Sequence, residues 1–332
     1  MTKRNQYFEG KNVLVTGASG FVGTHLVRRL VELGANVKGV LHEKKLQRPE
    51  RDVEFITANL TDQDSCQRVC EGIEYIFMTA ANSSGAGVME STPLAHLTPN
   101  IVMNARMLEA AYMQGVGKFC FISSNTVYPV TDYPVKEQNV NFEYFEKYFI
   151  VGWMKRFSEL MCEMYSEKIN RPMQTLVVRP GNLYGPFDKF TIKDSKVVPA
   201  LIRRAVEGQD PFLVWGDGMD IKDFLYIDDF IEGLIIAFQQ IDGFQAVNIA
   251  SGKPVTIREV LKEILEASGR DNVNIVFDKT KPTMIPKRLI DISKIQSTCG
   301  WTPKTTLKDG IRHTVDWYRQ TYSDRAPEDY TA

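Results

Sequence analysis

Through the first half of the chain, short apolar runs alternate with longer stretches of helical spacing. The run NVLVTG (12–17) is β-branched and ends in glycine, which predicts a buried parallel strand. FVGTHLVRRLVELG follows with Val22, Leu26, Leu30 and Leu33 on one stripe, and Gly34 is placed to end that helix. Further strands are predicted at NVKGVL (36–41), VEFITANL (53–60), YIFMTA (75–80), KFCFISS (118–124) and QTLVVRP (174–180). Helical spacing occupies 100–114 and 151–168. Regular alternation of strand and helix implies a parallel sheet covered on both faces, an α/β fold of the doubly wound, Rossmann type.

Past residue 180 the texture changes. PGNLYGPFDKF is a loop rich in Gly, Pro and Asn. FLYIDDFIEGLIIAF resumes a helix, with Asp228 and Asp229 suited to its N-terminal end. VNIA is a strand, and TIREVLKEILEASG is a helix with Thr256 as N-cap and Glu259 three positions on. The expected division is a dinucleotide-binding domain over 1–180 that also receives 223–250, and a smaller substrate lobe from 181–222 and 251–332.

Composition narrows the function classes. Net charge is −1 over 332 residues, so no basic excess points to nucleic acid or an anionic membrane. No apolar run approaches the roughly 18 residues of a membrane span, and the N-terminus lacks the apolar core of a signal peptide. Five scattered cysteines fit a reducing cytosol better than a disulfide framework. Cys66 and Cys70 lie four apart on a predicted helix, but without a second ligand pair they read as two thiols and not as a metal site.

The segment TGASGFVG (16–23) carries the first candidate chemistry. Gly17 permits a tight turn, Gly20 lets backbone approach a pyrophosphate, and Gly23 lets helix and strand pack closely. Ser19, Phe21 and Val22 complete the loop and open a helix whose free N–H groups suit phosphates. The next strand should end in an acid that grips the ribose of NAD. Leu41 holds that position, followed by His42, Lys44 and Lys45, which favours the 2′-phosphate of NADP; Glu43 keeps NAD open.

Taken together, these stretches resemble the extended short-chain dehydrogenase/reductase family, the NAD(P)-dependent nucleotide-sugar epimerases, dehydratases and reductases. FMTAAN (77–82) is similar to the segment that lines the nicotinamide site, SSNTVYP (123–129) to the serine motif, RPGNLYGP (179–186) to the substrate loop, and GDGMDIKDFLYIDD (216–229) to a further family segment in which Lys222 stands where arginine is usual. The resemblance covers about residues 10 to 320 and implies an enzyme. It places Asn59, Leu60, Thr79, Ala80, Ala81, Ser123 and Pro180 at the cofactor, together with Asn100 at the head of a helix. It implies that Ser124 binds the reacting oxygen and that Lys155 holds the nicotinamide ribose. Asn182, Val197, Arg204, Lys222 and Arg288 would face the sugar nucleotide, and Trp215 would stack on a base or sugar or pack the lobe.

Within the family, NLYGPFDKF, VVPALIRR, FLVWGDG and KPTMIPKRLIDISKI resemble the GDP-L-fucose synthase branch. That branch pairs a tyrosine with a lysine four residues on, the lysine easing proton transfer by the tyrosine. Here Lys155 is present and Val151 stands at the tyrosine position. At the branch's epimerising acid–base positions stand Thr126 and Lys196. Tyr148, seven residues before Lys155, lies about 10.5 Å away along a continuous helix and can substitute only if the helix starts after it and the preceding loop folds back. The histidines His25, His42, His96 and His313 fall in no catalytic motif. Bulky faces on the helices at 101–113 and 151–168 imply, by resemblance, a homodimer through a four-helix bundle. Three activities stay open: hydride exchange at a sugar carbon, proton chemistry beside an existing ketone or dehydration, and a retired dinucleotide-binding scaffold.

Overall fold

The computed structural model describes residues 6–82, 94–192, 195–281 and 283–322. The dinucleotide half is built from β1 (Asn12–Thr16), α1 (Phe21–Glu32), β2 (Asn36–Leu41), β3 (Val53–Thr57), α2 (Gln63–Cys70), β4 (Tyr75–Met78), α3 (Leu94–Met113), β5 (Lys118–Ile122), α4 (Phe149–Glu167) and β6 (Gln174–Pro180). The later half adds β7 (Asn182–Tyr184), α5 (Val197–Val206), β8 (Phe212–Trp215), β9 (Ile221–Tyr226), α6 (Ile227–Gln240), β10 (Phe244–Ile249) and β11 (Pro254–Thr256). It closes with α7 (Ile257–Ser268), β12 (Ile275–Asp278), α8 (Ser293–Cys299) and α9 (Leu307–Tyr322).

Seven parallel strands form the main sheet in the order β10-β6-β5-β4-β1-β2-β3. Side chains alternate cleanly between its two faces, as a strand's period of two requires. Val13, Val15, Phe77, Cys120, Leu176 and Val178 join one core with α1 and α6. Leu14, Ile76, Met78, Phe119, Phe121 and Val177 join the other with α2, α3 and α4. Covered on both faces, the strands read as continuous apolar runs in the sequence.

Strand order reverses at β1: β2 and β3 lie to one side, β4 to the other. A crevice therefore opens at the carboxyl ends of β1 and β4, the topological switch point where such sheets bind ligands. The lobe is built on a three-stranded sheet, β11-β9-β7, and a two-stranded pair, β12-β8.

Two elements depart from expectation. The first residues of the expected 223–250 insertion, 223–226, belong to β9 and the small sheet; α6 and β10 alone return to the large one. Asn100 does not head its helix, because α3 starts at Leu94 and tolerates Pro99 inside it at the cost of one backbone bond. The capping box at Thr256 and Glu259 forms as the sequence predicts, with Glu259 N–H donating to Thr256 Oγ1 at 3.2 Å. Among the described residues no helix is long and apolar enough to cross a membrane.

Candidate active site

The glycine loop turns where β1 meets α1. Gly17 takes φ +65°, and a Cβ there would lie 2.8 Å from Ala80 Cα. At Gly23 a Cβ would lie 2.1 Å from the Gly17 carbonyl oxygen, so helix and turn pack backbone to backbone. Gly20 differs, for its missing Cβ would meet only Gly17 O at 3.1 Å, leaving the outer side of the loop open. Gly20 caps α1 without a side-chain bond, and the first turn of α1 holds no acidic residue. Those free N–H groups and that bare face fit a pyrophosphate. Ser19 is buried behind the loop, while Phe21 and Val22 are half-buried at the helix start.

Thr16 ties the loop to the next strand over. Its Oγ1 accepts from Thr79 N and Ala80 N, both at 3.1 Å. Ala81 lies exposed beyond them, and Asn82 exchanges two hydrogen bonds with the Asn100 side chain, at 2.8 and 3.0 Å. Asn100 thus serves the rim of the crevice from within α3. At the end of β2, His42 and Lys44 are exposed and Leu41 is half-buried. Asn59 caps its own turn through Thr61, and the buried Leu60 carbonyl accepts from Cys66 Sγ. Burial pushes the Cys66 and Cys70 thiols up to about 12.

The groups expected to react lie at and just beyond the ends of β5 and β6. After β5, Ser124 caps a 3-10 turn at 125–127. Its Oγ accepts from Thr126 N at 3.2 Å and from Thr126 Oγ1 at 3.0 Å. With both donations coming from Thr126, the Ser124 hydroxyl keeps its own proton to donate elsewhere. Asn125 Nδ2 donates to Pro180 O at 3.0 Å and fastens this turn to the end of β6.

Lys155 projects from α4, its Nζ donating to Ile122 O at 2.8 Å and lying 4.8 Å from the Phe121 ring centre. Burial pulls its ammonium down to about 8, against the opposing pull of the Glu159 carboxylate. Val151 is one helical turn before it, on the same face. Tyr148 meets only the first half of the condition set by the sequence: α4 begins at Phe149 with Tyr148 as its N-cap, but a 3-10 turn at Glu146–Tyr148 leads straight into the helix. Its hydroxyl turns toward the lobe, onto the Ile285 backbone and near Arg288 and Asp220; burial pushes it up to about 12.

The lobe residues divide. Lys196 and Val197 are exposed at the start of α5, and Trp215 is exposed at the end of β8. Asn182 Nδ2 donates to Asp223 O at 3.0 Å, and Arg204 Nη1 to Leu213 O at 2.9 Å; both side chains stay half-buried. Two cations expected at the ligand are committed to the protein. Lys222 donates to Ile285 O and reaches Asp220 at 3.4 Å. Arg288 is 1% exposed and donates to Pro129 O at 2.7 Å and Tyr128 O at 3.0 Å, bracing the end of the serine motif.

Several groups went unrecognised in the sequence. Asp188 is buried with Oδ2 unpartnered; burial raises its carboxyl, opposed chiefly by Lys196. His25 is structural: its ring nitrogens lie 2.9 Å from Asp228 Oδ1 and 2.9 Å from Pro186 O, joining α1 to α6 and to the substrate loop. The side chain of His96 lies outside the described residues. Ser123 Oγ donates to Glu159 Oε1 at 2.6 Å, and Glu159 lies only four residues after Lys155, a spacing that could have flagged it.

The same order of parts recurs in known proteins. GDP-L-fucose synthase 1 of Arabidopsis thaliana is 30% identical over 322 residues, 94% of each chain. GDP-mannose 3,5-epimerase 1 of Oryza sativa subsp. japonica is 30% identical over 328 residues, 96% of this chain and 85% of that one. A crystal structure of UDP-glucose 4-epimerase from Thermotoga maritima with UDP-glucose superimposes with a TM-score of 0.84 at 28% identity, covering 93% of this chain and 99% of that one. The pattern of the NAD dependent epimerase/dehydratase family runs from residue 13 to 250, from the first strand of the glycine loop to just past β10. The chain belongs to the NAD dependent epimerase/dehydratase family.

Proposed function

We propose that this NAD(P)-dependent enzyme of nucleotide sugars works as an epimerase/reductase on a GDP-linked sugar, with proton handling moved from the absent tyrosine to Ser124, Thr126 and Lys196. One observation carries the reading: Lys155 bonds the last carbonyl of β5, at Ile122, and the Thr126–Ser124 hydroxyl pair follows that strand end directly, beside the switch-point crevice. The GDP preference follows the two GDP-sugar relatives at 30% identity.

When bound, the cofactor supplies or takes a hydride at a sugar carbon. Gly17, Gly20 and the first turn of α1 hold its pyrophosphate. Lys155 holds the ribose and keeps positive charge under the nicotinamide end. Ser124 donates to the reacting sugar oxygen, Thr126 passes its own hydroxyl proton on to Ser124, and solvent reaching the half-buried Thr126 restores that proton. Lys196, across from the buried Asp188, moves a proton at the neighbouring carbon. Tyr148 stays protonated and lines the lobe side of the cleft. Exposed His42 and Lys44 favour NADP over NAD.

The exposed side chains Trp153, Phe157 and Met164 form an apolar stripe on α4, which supports a homodimer through α3 and α4. Five free, buried cysteines support a cytoplasmic location.

Val151 favours a second reading, a retired dinucleotide-binding scaffold. Incubation with NADPH and a GDP-4-keto-6-deoxy sugar separates the two. Cofactor consumption supports reduction, isomerised sugar without consumption supports epimerisation, and tight cofactor binding with inert sugars supports the scaffold.

A further inference from the structure

Glu159 is fully buried on α4. Arg179, at the end of β6, grips it with two parallel bonds, Nε to Oε1 at 2.9 Å and Nη2 to Oε2 at 2.8 Å. Ser123 Oγ and Arg156 Nη1 add bonds at 2.6 and 3.2 Å. Arg179 Nη1 continues to the Tyr128 hydroxyl at 3.0 Å, and Tyr128 donates to Asn248 Oδ1 at 2.6 Å. Arg179 is 2% exposed; Tyr128 and Asn248 are fully buried.

Such a pair is a poor device for stability alone, since apolar residues of equal volume commonly hold a fold as well or better. Its position suggests another use. Ser123 directly precedes Ser124. Arg179 directly precedes Pro180, whose carbonyl anchors Asn125. Glu159 shares a helix with Lys155, one turn away. Around Lys155, β5 presents the Ile122 carbonyl and the Phe121 ring, and the Glu159 carboxylate bears on it from its own helix, with the Arg156 and Arg179 guanidiniums bound to that carboxylate.

We propose that Glu159 is a positioning residue: locked by Arg179, its carboxylate clamps the Ser123–Thr126 turn to the helix bearing Lys155 and holds Lys155 as a cation toward the cofactor. No bond forms or breaks at Glu159; it acts through Ser123 and through its field. The part that faces Lys155 to a cofactor rests on the reading above, while the link between Glu159 and Lys155 does not. Burial favours the neutral amine and the carboxylate opposes it, so loss of the carboxylate releases the proton more easily.

Acetic anhydride labelling of Lys155 in the full chain, read by peptide mass spectrometry from neutral to alkaline pH, tests this without any need for turnover. In Glu159→Gln, labelling near neutrality is expected to run roughly fivefold faster than in the parent. Glu159→Met together with Arg179→Met removes the bidentate pair and leaves only the half-buried Arg156 without its carboxylate; acceleration in the same direction, but smaller because the Arg179 charge goes too, is expected. Ser123→Ala keeps the carboxylate and should label at the parental rate. Unchanged labelling in the folded double variant overturns the proposal, as does acceleration in Ser123→Ala. Protection of parental Lys155 by NADPH reports separately on the cofactor site; its failure contradicts that site and leaves the labelling comparison standing.

Discussion

Thr126 donates its hydroxyl proton to Ser124 Oγ across 3.0 Å, and its backbone N–H donates to the same oxygen at 3.2 Å. The arrangement fixes which way the serine proton can go. On the proposed function it makes the two side chains one short relay to the reacting sugar oxygen.

Thr126→Val keeps the shape of the side chain and removes the relay donor. Turnover of a GDP-keto sugar should fall about tenfold, the worth of roughly one lost hydrogen bond, with cofactor affinity unchanged. Ser124→Ala should fall further. Steady-state kinetics on the two variants checks both, and equal rates for Thr126→Val and the parent would dismiss the relay.

Val151→Tyr places a phenol one turn before Lys155, on the same face of α4. A general acid is worth about 10²- to 10⁴-fold, so NADPH-dependent reduction should rise by about tenfold or more even with imperfect placement. A variant that binds cofactor normally but turns over no faster would show that the existing hydroxyls already meet the need for a proton.

The glycines at 20 and 23 separate binding from folding. Gly20→Ala meets only Gly17 O at 3.1 Å and should fold, yet lose cofactor affinity because its methyl enters the phosphate side. Gly23→Ala meets that oxygen at 2.1 Å and should cost about 2 kcal/mol of stability. Thermal melts paired with cofactor titrations distinguish the two; similar melting losses in both variants would refute the assignment.

Lys155 gives the cofactor site a pH dependence. Its ammonium is pulled down to about 8 by burial, and the charged form is the one that holds the ribose. Affinity should therefore be level below about pH 8 and decline as pH rises through it. Lys155→Met should bind more weakly and lose this decline. Fluorescence titration of NADPH at a series of pH values reads the effect, and a parental profile that stays flat through the alkaline range would contradict it.

Local signals made much of the fold readable. The strands at 36–41 and 174–180 fall as the apolar runs predict, because a strand buried on both faces needs nothing but apolar residues. Ends were harder. The strand expected at 118–124 stops at Ile122: Ser123 N–H still reaches Val178 O, but Ser124 caps the 3-10 turn that follows. FLYIDD hid a strand end beside a helix start, because both are apolar with acids close behind. At the site, the family resemblance picked out Ser124, Lys155 and Asn182 by position. It could not show Arg288 and Lys222 turned onto carbonyls, nor the buried ion pair of Glu159 and Arg179. Those depend on partners brought together from 20 to about 160 positions away in sequence.

Calorimetric titration of the purified protein with NADPH and with NADH tests the central claim most directly. Saturable binding of at least one coenzyme, abolished in Gly20→Ala and weakened in Lys155→Met, is the predicted result. A folded parent chain that takes up neither coenzyme would contradict it.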